Sequence, residues 1–301
     1  MTTTGFKKCA VPERTAIHIL IILERTGNTM DAANGLQYSQ KHQEDLQRLK
    51  NFRLLDDDFC TKVFEDIECV ELLLRIILKK DDLKVTEVHS QYNMKNLQGR
   101  SARLDIFAVD SAEAAMNVEI QRSDRGAVPK RARYHSSLID ANVTEPGDKY
   151  EKLPESYVIF ITENDVMGAG LPIYHINRFV EETGNHFGDD AHIIYVNSQI
   201  QDETTLGRLM HDFSCTDPSD MNYKILADRV RYFKSDEEGV LIMCRMLEEM
   251  RNETALETAL KTTKEFALRL IIRGKDTPEE IAEITNLPLA EINHLKETQQ
   301  I

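Results

Sequence analysis

Two strand-like runs joined by a short loop constrain this chain most. Arg103-Leu104-Asp105-Ile106-Phe107-Ala108-Val109 and Met116-Asn117-Val118-Glu119-Ile120-Gln121 flank a loop from Asp110 to Ala115, which is of hairpin length. An almost uninterrupted apolar strand follows at Ser156-Tyr157-Val158-Ile159-Phe160-Ile161-Thr162, the pattern of a central strand covered on both faces. Between them a helix is predicted from about Val128 to Ala141, with Pro129 at a permitted first-turn position. A link that long allows a helical crossover, so the third and fourth strands are expected to run parallel.

The surrounding pattern completes an α/β reading. Asp56-Asp57-Asp58 offers capping groups, and apolar residues from Phe59 to Ile77 recur at helical spacing up to Lys79-Lys80, predicting one buried amphipathic helix. Leu83 to Tyr92, Ile173 to Phe179 and His192 to Val196 read as further strands. From Glu203 the chain reads mainly helical, with a long charged helix after Asp236 and a break expected at Gly239. Thr277-Pro278-Glu279-Glu280 is a capping box that opens a short helical pair of helix-turn-helix proportions, read as a plain helical hairpin. The expected organisation is a loosely ordered extension over 1–45, a core over 46–200 and a helical region over 201–301.

Composition excludes several classes. The longest apolar run, Ala16 to Leu23, falls far short of the ~20 residues that span a bilayer, and Glu24-Arg25 stand where a signal peptide would place small residues. Five cysteines at wide spacing, with no Cys-x-x-Cys, argue against a disulfide framework or structural zinc and for a cytoplasmic protein. There is no phosphate loop and no close histidine metal pair; His175 and His192, within apolar strands, are expected to be hydrogen-bonded core residues. A net charge of -14 argues against a general DNA-coating protein but leaves room for a local basic surface.

The chemistry centres on the hairpin. Alternation puts Asp105 on one face of its strand, and Asn117, Glu119 and Gln121 on one face of the next. A loop centred on Ala112 sets Asp105 directly opposite Glu119, with Cβ atoms ~5 Å apart. Two carboxylates at ~4–5 Å repel by roughly 4 kcal/mol at an effective dielectric near 20. Solvation, a proton or a bridging cation must offset that, and Mg²⁺ suits the last option. A merely water-facing hairpin surface is the other reading of the same pattern. Between Arg122 and Arg133 lie Arg122, Arg125, Lys130, Arg131 and Arg133 against one acid, Asp124. This local basic stretch suits phosphate contact, with Lys130 or Arg131 foremost, or else a solvated helix start.

Arg103-Leu104-Asp105-Ile106 with Asn117-Val118-Glu119-Ile120-Gln121 resembles the active-site hairpin of the PD-(D/E)XK superfamily. Together with Lys130-Arg131-Ala132-Arg133-Tyr134, Ser136-Ser137-Leu138-Ile139-Asp140, Tyr157-Val158-Ile159-Phe160-Ile161 and Leu171-Pro172-Ile173-Tyr174-His175-Ile176, it is similar to one branch, the PD-(D/E)XK nuclease family transposases or Rpn-type recombination-promoting nucleases. The similarity runs from about Leu49 into the C-terminal helices.

The resemblance implies a restriction-endonuclease-like core, a mixed four-stranded sheet flanked by helices, with a helical C-terminal region. It implies a DNA endonuclease using Mg²⁺ (Mn²⁺ as a substitute) on double-stranded DNA, linked to transposition or recombination. Asp105 and Glu119 would hold the ion, joined by the Ile120 carbonyl, and a helix acid would assist; Glu65 and Glu68 are available and Glu68 is preferred. The motif's usual lysine is here Gln121, as in this branch, and an amide supplies no full positive charge. The alternative is a catalytically weak or inactive nuclease-fold protein that binds DNA or protein as a regulator. RNA is a third possibility as substrate, and the long C-terminal helix is a candidate homodimer seam.

Overall fold

In the computed structural model, the described residues are 41–96, 99–123, 126–144 and 147–298. The extension expected over 1–45 lies outside them except for 41–45, which begin a helical stretch over 41–50, α1. The described residues up to Val240 form one compact unit and those from Leu241 a second. The boundary expected at 200/201 therefore falls inside the first unit.

The sheet has six strands in the order β1-β2-β3-β4-β6-β5, one for each strand-like run of the sequence and two more than the four-stranded core that the resemblance implies. These are β1 (Val85–Met94), β2 (Ala102–Asp110), β3 (Ala115–Gln121), β4 (Ser156–Thr162), β5 (Ile173–Ile176) and β6 (Ala191–Asn197). The β1–β2–β3 meander is antiparallel, β3 and β4 run parallel as the crossover predicts, and β6 runs parallel to β4. Every β4 residue is buried, as an unbroken apolar run requires. β5 is the antiparallel edge, which leaves His175 exposed rather than in the core; His192 pairs with Glu155 at 3.2 Å.

The amphipathic stretch after Asp56 is two helices, α2 (Asp57–Val63) and α3 (Ile67–Leu78), not one. The Asp66 side chain accepts the N–H groups of Glu68 and Cys69, so a new N-terminus starts there. Phe59 of α2 and Phe64, which caps its end, then reach α6 (Lys224–Ser235) and α5 (Thr205–Ser214) respectively: Phe59 packs edge-on to Phe233, and Phe64 stacks on Phe213 at 5.8 Å. α4 (Pro129–Val143) covers the opposite face, where Ala132, Leu138 and Ile139 bury against Phe107, Val158, Phe160 and Tyr195.

α7 (Glu237–Arg273) is continuous through Gly239. A Cβ there would lie 2.2 Å from the Tyr232 carbonyl oxygen, so the glycine permits a close approach to the end of α6 rather than a break. In the second unit, α8 (Pro278–Thr285) carries the expected capping box, and Ile281 packs with Leu287, Ile292 of α9 (Leu289–Thr298), and Ala267 and Leu270 of α7. No helix among the described residues is long and apolar enough to cross a membrane.

Candidate active site

The β2–β3 turn sets the geometry. Asp110, nearly buried, accepts the N–H groups of Ala112 and Ala114, both at 2.9 Å, and its own N–H donates to the Ala114 carbonyl. Glu113 takes the left-handed conformation that closes the turn. The resulting register pairs Val109 with Ala115 and Ile106 with Val118, and its next step sets Asp105 opposite Glu119, the relation that a loop centred on Ala112 predicts. There the ladder opens and side chains replace it. The Ile120 N–H donates to Asp105 Oδ2 at 3.0 Å, and the Asp105 N–H points to Glu119 Oε1 at 3.4 Å. N–H and C=O of one strand residue face the same edge, so the Ile120 carbonyl also looks toward Asp105.

Asn117, Glu119 and Gln121 all meet α4. Glu119 is 0% exposed, and Arg131 Nη2 donates to its Oε2 at 2.5 Å. The same guanidinium donates through Nη1 to Gln121 Oε1 (3.2 Å) and to the Gly126 carbonyl (2.9 Å), and through Nε to His135 Nε2 (3.3 Å). His135 Nδ1 lies 3.1 Å from Asn117 Nδ2 and 3.5 Å from Glu119 Oε1. Phe160 lies beneath the guanidinium, 5.8 Å from its carbon. Gly126 allows this packing: a Cβ there would overlap Gln121 Oε1.

Burial dominates the electrostatics. Removal from water pushes both carboxyl groups above their ordinary range, and each has a second acid adding to it: Asp57 for Asp105, and Asp105 for Glu119. The Ile120 N–H and Arg131 pull the other way. His135 is held down to about 4 by burial and by Arg131, which keeps it neutral. Burial also lifts Asp57, with Asp58 beside it, and the Cys60 thiol next to Asp105 is far above its ordinary value.

Residues 65–205 match the family model described as PD-(D/E)XK nuclease family transposase. These residues form a PD-(D/E)XK nuclease family transposase domain. No curated protein and no solved structure gives a match.

The nuclease-family domain brings together Asp105, Glu119, Ile120 and Gln121, but redistributes the other residues. Glu68 is exposed on the first turn of α3 and makes no side-chain bond to the pair among the described residues. The helix charge that acts on Asp105 belongs instead to Asp57 of α2, which lies before the matched residues. Gln91, in the left-handed conformation and level with Asp105 in the β1–β2 register, donates to Thr61 Oγ1 and ties α2 there. The run Asp56-Asp57-Asp58 reads as a cap in the sequence, which hides this role.

The basic stretch of the nuclease-family domain divides. Arg131, expected on the DNA backbone, is committed inward to Glu119, because α4 packs its face across β3. Arg122 is half exposed but pairs with Asp56 at 2.9 Å and Glu163 at 3.3 Å, where Arg53 joins the same two acids. Arg125 lies outside the described residues. Lys130 and Arg133 are exposed on α4. A separate cleft of about 370 Å³ is lined by Arg48, Asn51, Phe52, Asp56, Asp57, Asp58 and Arg122, the residue that follows β3. His135 and Asn117 were missed; the i,i+4 spacing of Arg131 and His135 is the signal that could have found the former.

Proposed function

We propose that this domain is a Mg²⁺-dependent DNA endonuclease, with Mn²⁺ able to substitute, acting on double-stranded DNA in transposition or recombination. The observation that carries the reading is the convergence of Asp105 and Glu119 at the opening of the β2–β3 ladder, with the Ile120 carbonyl facing the same edge. Two carboxylates and a carbonyl are hard oxygen donors of the kind Mg²⁺ takes, with waters and substrate phosphate completing the set. The pair also demands a positive charge: Arg131 already provides one to Glu119, and both acids resist ionisation without more.

A bound divalent ion supplies charge neutralisation on the phosphate and a readier water nucleophile. The chain's residues do the rest. Asp105 and Glu119 hold the ion, and Asp57 adds negative potential from α2. Lys130 and Arg133 seat the DNA backbone. Free Cys60, Cys69 and Cys215 agree with a cytoplasmic setting. Leu256 and Leu260, exposed one turn apart on α7, support a homodimer, which light scattering at micromolar concentration checks; a monomer there contradicts it.

Nicking of supercoiled plasmid in Mg²⁺ tests the reading, with labelled duplex DNA and RNA in parallel. Metal-dependent cutting of DNA lost in Asp105→Ala and Glu119→Ala is the expected result. Equal cutting by all three proteins, or a preference for RNA, overturns it. The second reading, a weak or inactive nuclease-fold regulator, is favoured by Gln121 and by the Arg131–Glu119 pair; DNA binding without cutting in any divalent ion is its signature.

A further inference from the structure

Gln121 stands where the motif usually carries lysine, yet the site is not short of a cation. Arg131 reaches across from α4, and its contacts are distributed in a specific way. Nη1 holds Gln121 Oε1 and the Gly126 carbonyl, and Nε holds His135. Nη2 alone touches Glu119, and only one of its two N–H groups is used. Three of the five N–H groups therefore fix the guanidinium to groups that bind no metal, one lies on Glu119, and one has no protein partner among the described residues. The side chain is 32% exposed, so this cation is anchored but not sealed from solvent. Gly126 belongs to the same device, because any side chain there would drive the Gln121 amide off the guanidinium.

We propose that Gln121 and Arg131 share the work of the absent lysine: Gln121 is a positioning residue that anchors the guanidinium, and Arg131 carries the charge to the scissile phosphate. This rests on the endonuclease reading. In phosphodiester hydrolysis the water oxygen bonds to phosphorus and one P–O ester bond breaks. One proton passes to the departing alcohol and the other to the new phosphomonoester or to solvent. Arg131 takes and gives no proton in this step. Its remaining Nη2 N–H donates to a non-bridging oxygen, where negative charge gathers, and the fixed anchors spare the guanidinium reorganisation at that moment. A lysine on β3 reaches the phosphate from the strand; here the strand supplies the bracket and the helix the charge.

Two measurements test this. In the metal-free protein, the Arg131 Nη protons, assigned by their loss in Arg131→Lys, should give separate, slowly exchanging magnetic-resonance signals, and Gln121→Ala should merge them. Separate signals that survive in Gln121→Ala overturn the anchoring. Plasmid cutting at saturating Mg²⁺ is then followed in variants whose melting is first compared with wild type. Arg131→Gln should lower kcat about a hundredfold, the usual loss for one such donor. The double variant Gln121→Lys/Arg131→Gln should recover at least tenfold of it by returning the charge to the strand position, which a merely structural arginine would not permit. No loss in Arg131→Gln, or no recovery in a double variant that melts like Arg131→Gln, overturns the assignment of the charge. If wild type cuts nothing in any divalent ion, the endonuclease reading fails and the charge role with it, while the metal-free signals still judge the anchoring.

Discussion

The carboxylate of Asp105 accepts the Ile120 N–H at 3.0 Å, taking the place of a β2–β3 ladder bond just where Glu119 lies opposite. A side chain that substitutes for a backbone partner holds its oxygen against the strand edge, and so Asp105 Oδ2 is fixed. The cost is desolvation of two acids in one place, visible in the upward displacement of both.

That cost should appear as a pH dependence of folding. A carboxyl whose folded value is raised binds more protons in the folded chain than in the unfolded one. Stability contributed by the pair therefore falls as pH rises from the ordinary carboxylate range near 4, by about 1.4 kcal/mol per pH unit for each proton retained. His135, held down to about 4, acts in the opposite sense, raising stability with pH up to about 6.5. Urea denaturation of the metal-free protein from pH 5 to pH 8 isolates the acids when wild type is compared with Asp105→Asn. The variant should gain on wild type steadily as pH rises; a constant difference contradicts the assignment.

The turn residue Asp110 should matter at a distance. Its carboxylate accepts two backbone N–H groups, so Asp110→Ala is expected to cost about 2 kcal/mol. Because the same bonds set the register that brings Asp105 to Glu119, Mg²⁺ binding by calorimetry should weaken along with the urea midpoint. Lost stability with unchanged Mg²⁺ affinity would mean that the strands hold their register without the turn.

The two helix acids separate cleanly. Removing the Asp57 charge should weaken Mg²⁺ binding about fivefold, from roughly 1 kcal/mol of lost attraction, while Glu68→Gln leaves it unchanged. Calorimetric titration of Asp57→Asn and Glu68→Gln side by side checks this. The reverse ranking would restore Glu68 as the helix acid.

Lys130 and Arg133 are expected to act through phosphate alone. Binding of the Lys130→Gln/Arg133→Gln variant to unrelated duplexes should weaken uniformly, and the slope of log affinity against log salt should drop by about 2. Fluorescence anisotropy at several salt concentrations measures both; an unchanged slope removes these residues from the DNA surface.

Local pattern carried much of this in advance. The apolar run from Ser156 to Thr162 is β4 to the residue, because burial on both faces leaves no room for polar interruption. The hairpin register followed from loop length, since alternation has a period of two and a short loop permits few pairings. The split between α2 and α3 was hidden, because Phe64 and Ile67 keep helical spacing across a break made by the Asp66 side chain. The inward contact of Arg131 with Glu119 was hidden for a related reason. A run of basic residues looks solvated in one dimension, and only the packing of α4 over β3 shows which member turns inward. Asp57 escaped likewise, as a capping acid and a site acid have the same local signature.

Calorimetric titration of Mg²⁺ into the metal-free protein at pH 8, beside Asp105→Ala, bears most directly on the central claim that the hairpin pair holds a divalent ion. Saturable binding to wild type that is lost in Asp105→Ala is the result this structure leads us to expect. Equal binding by both proteins, or none by either with folding intact, contradicts it.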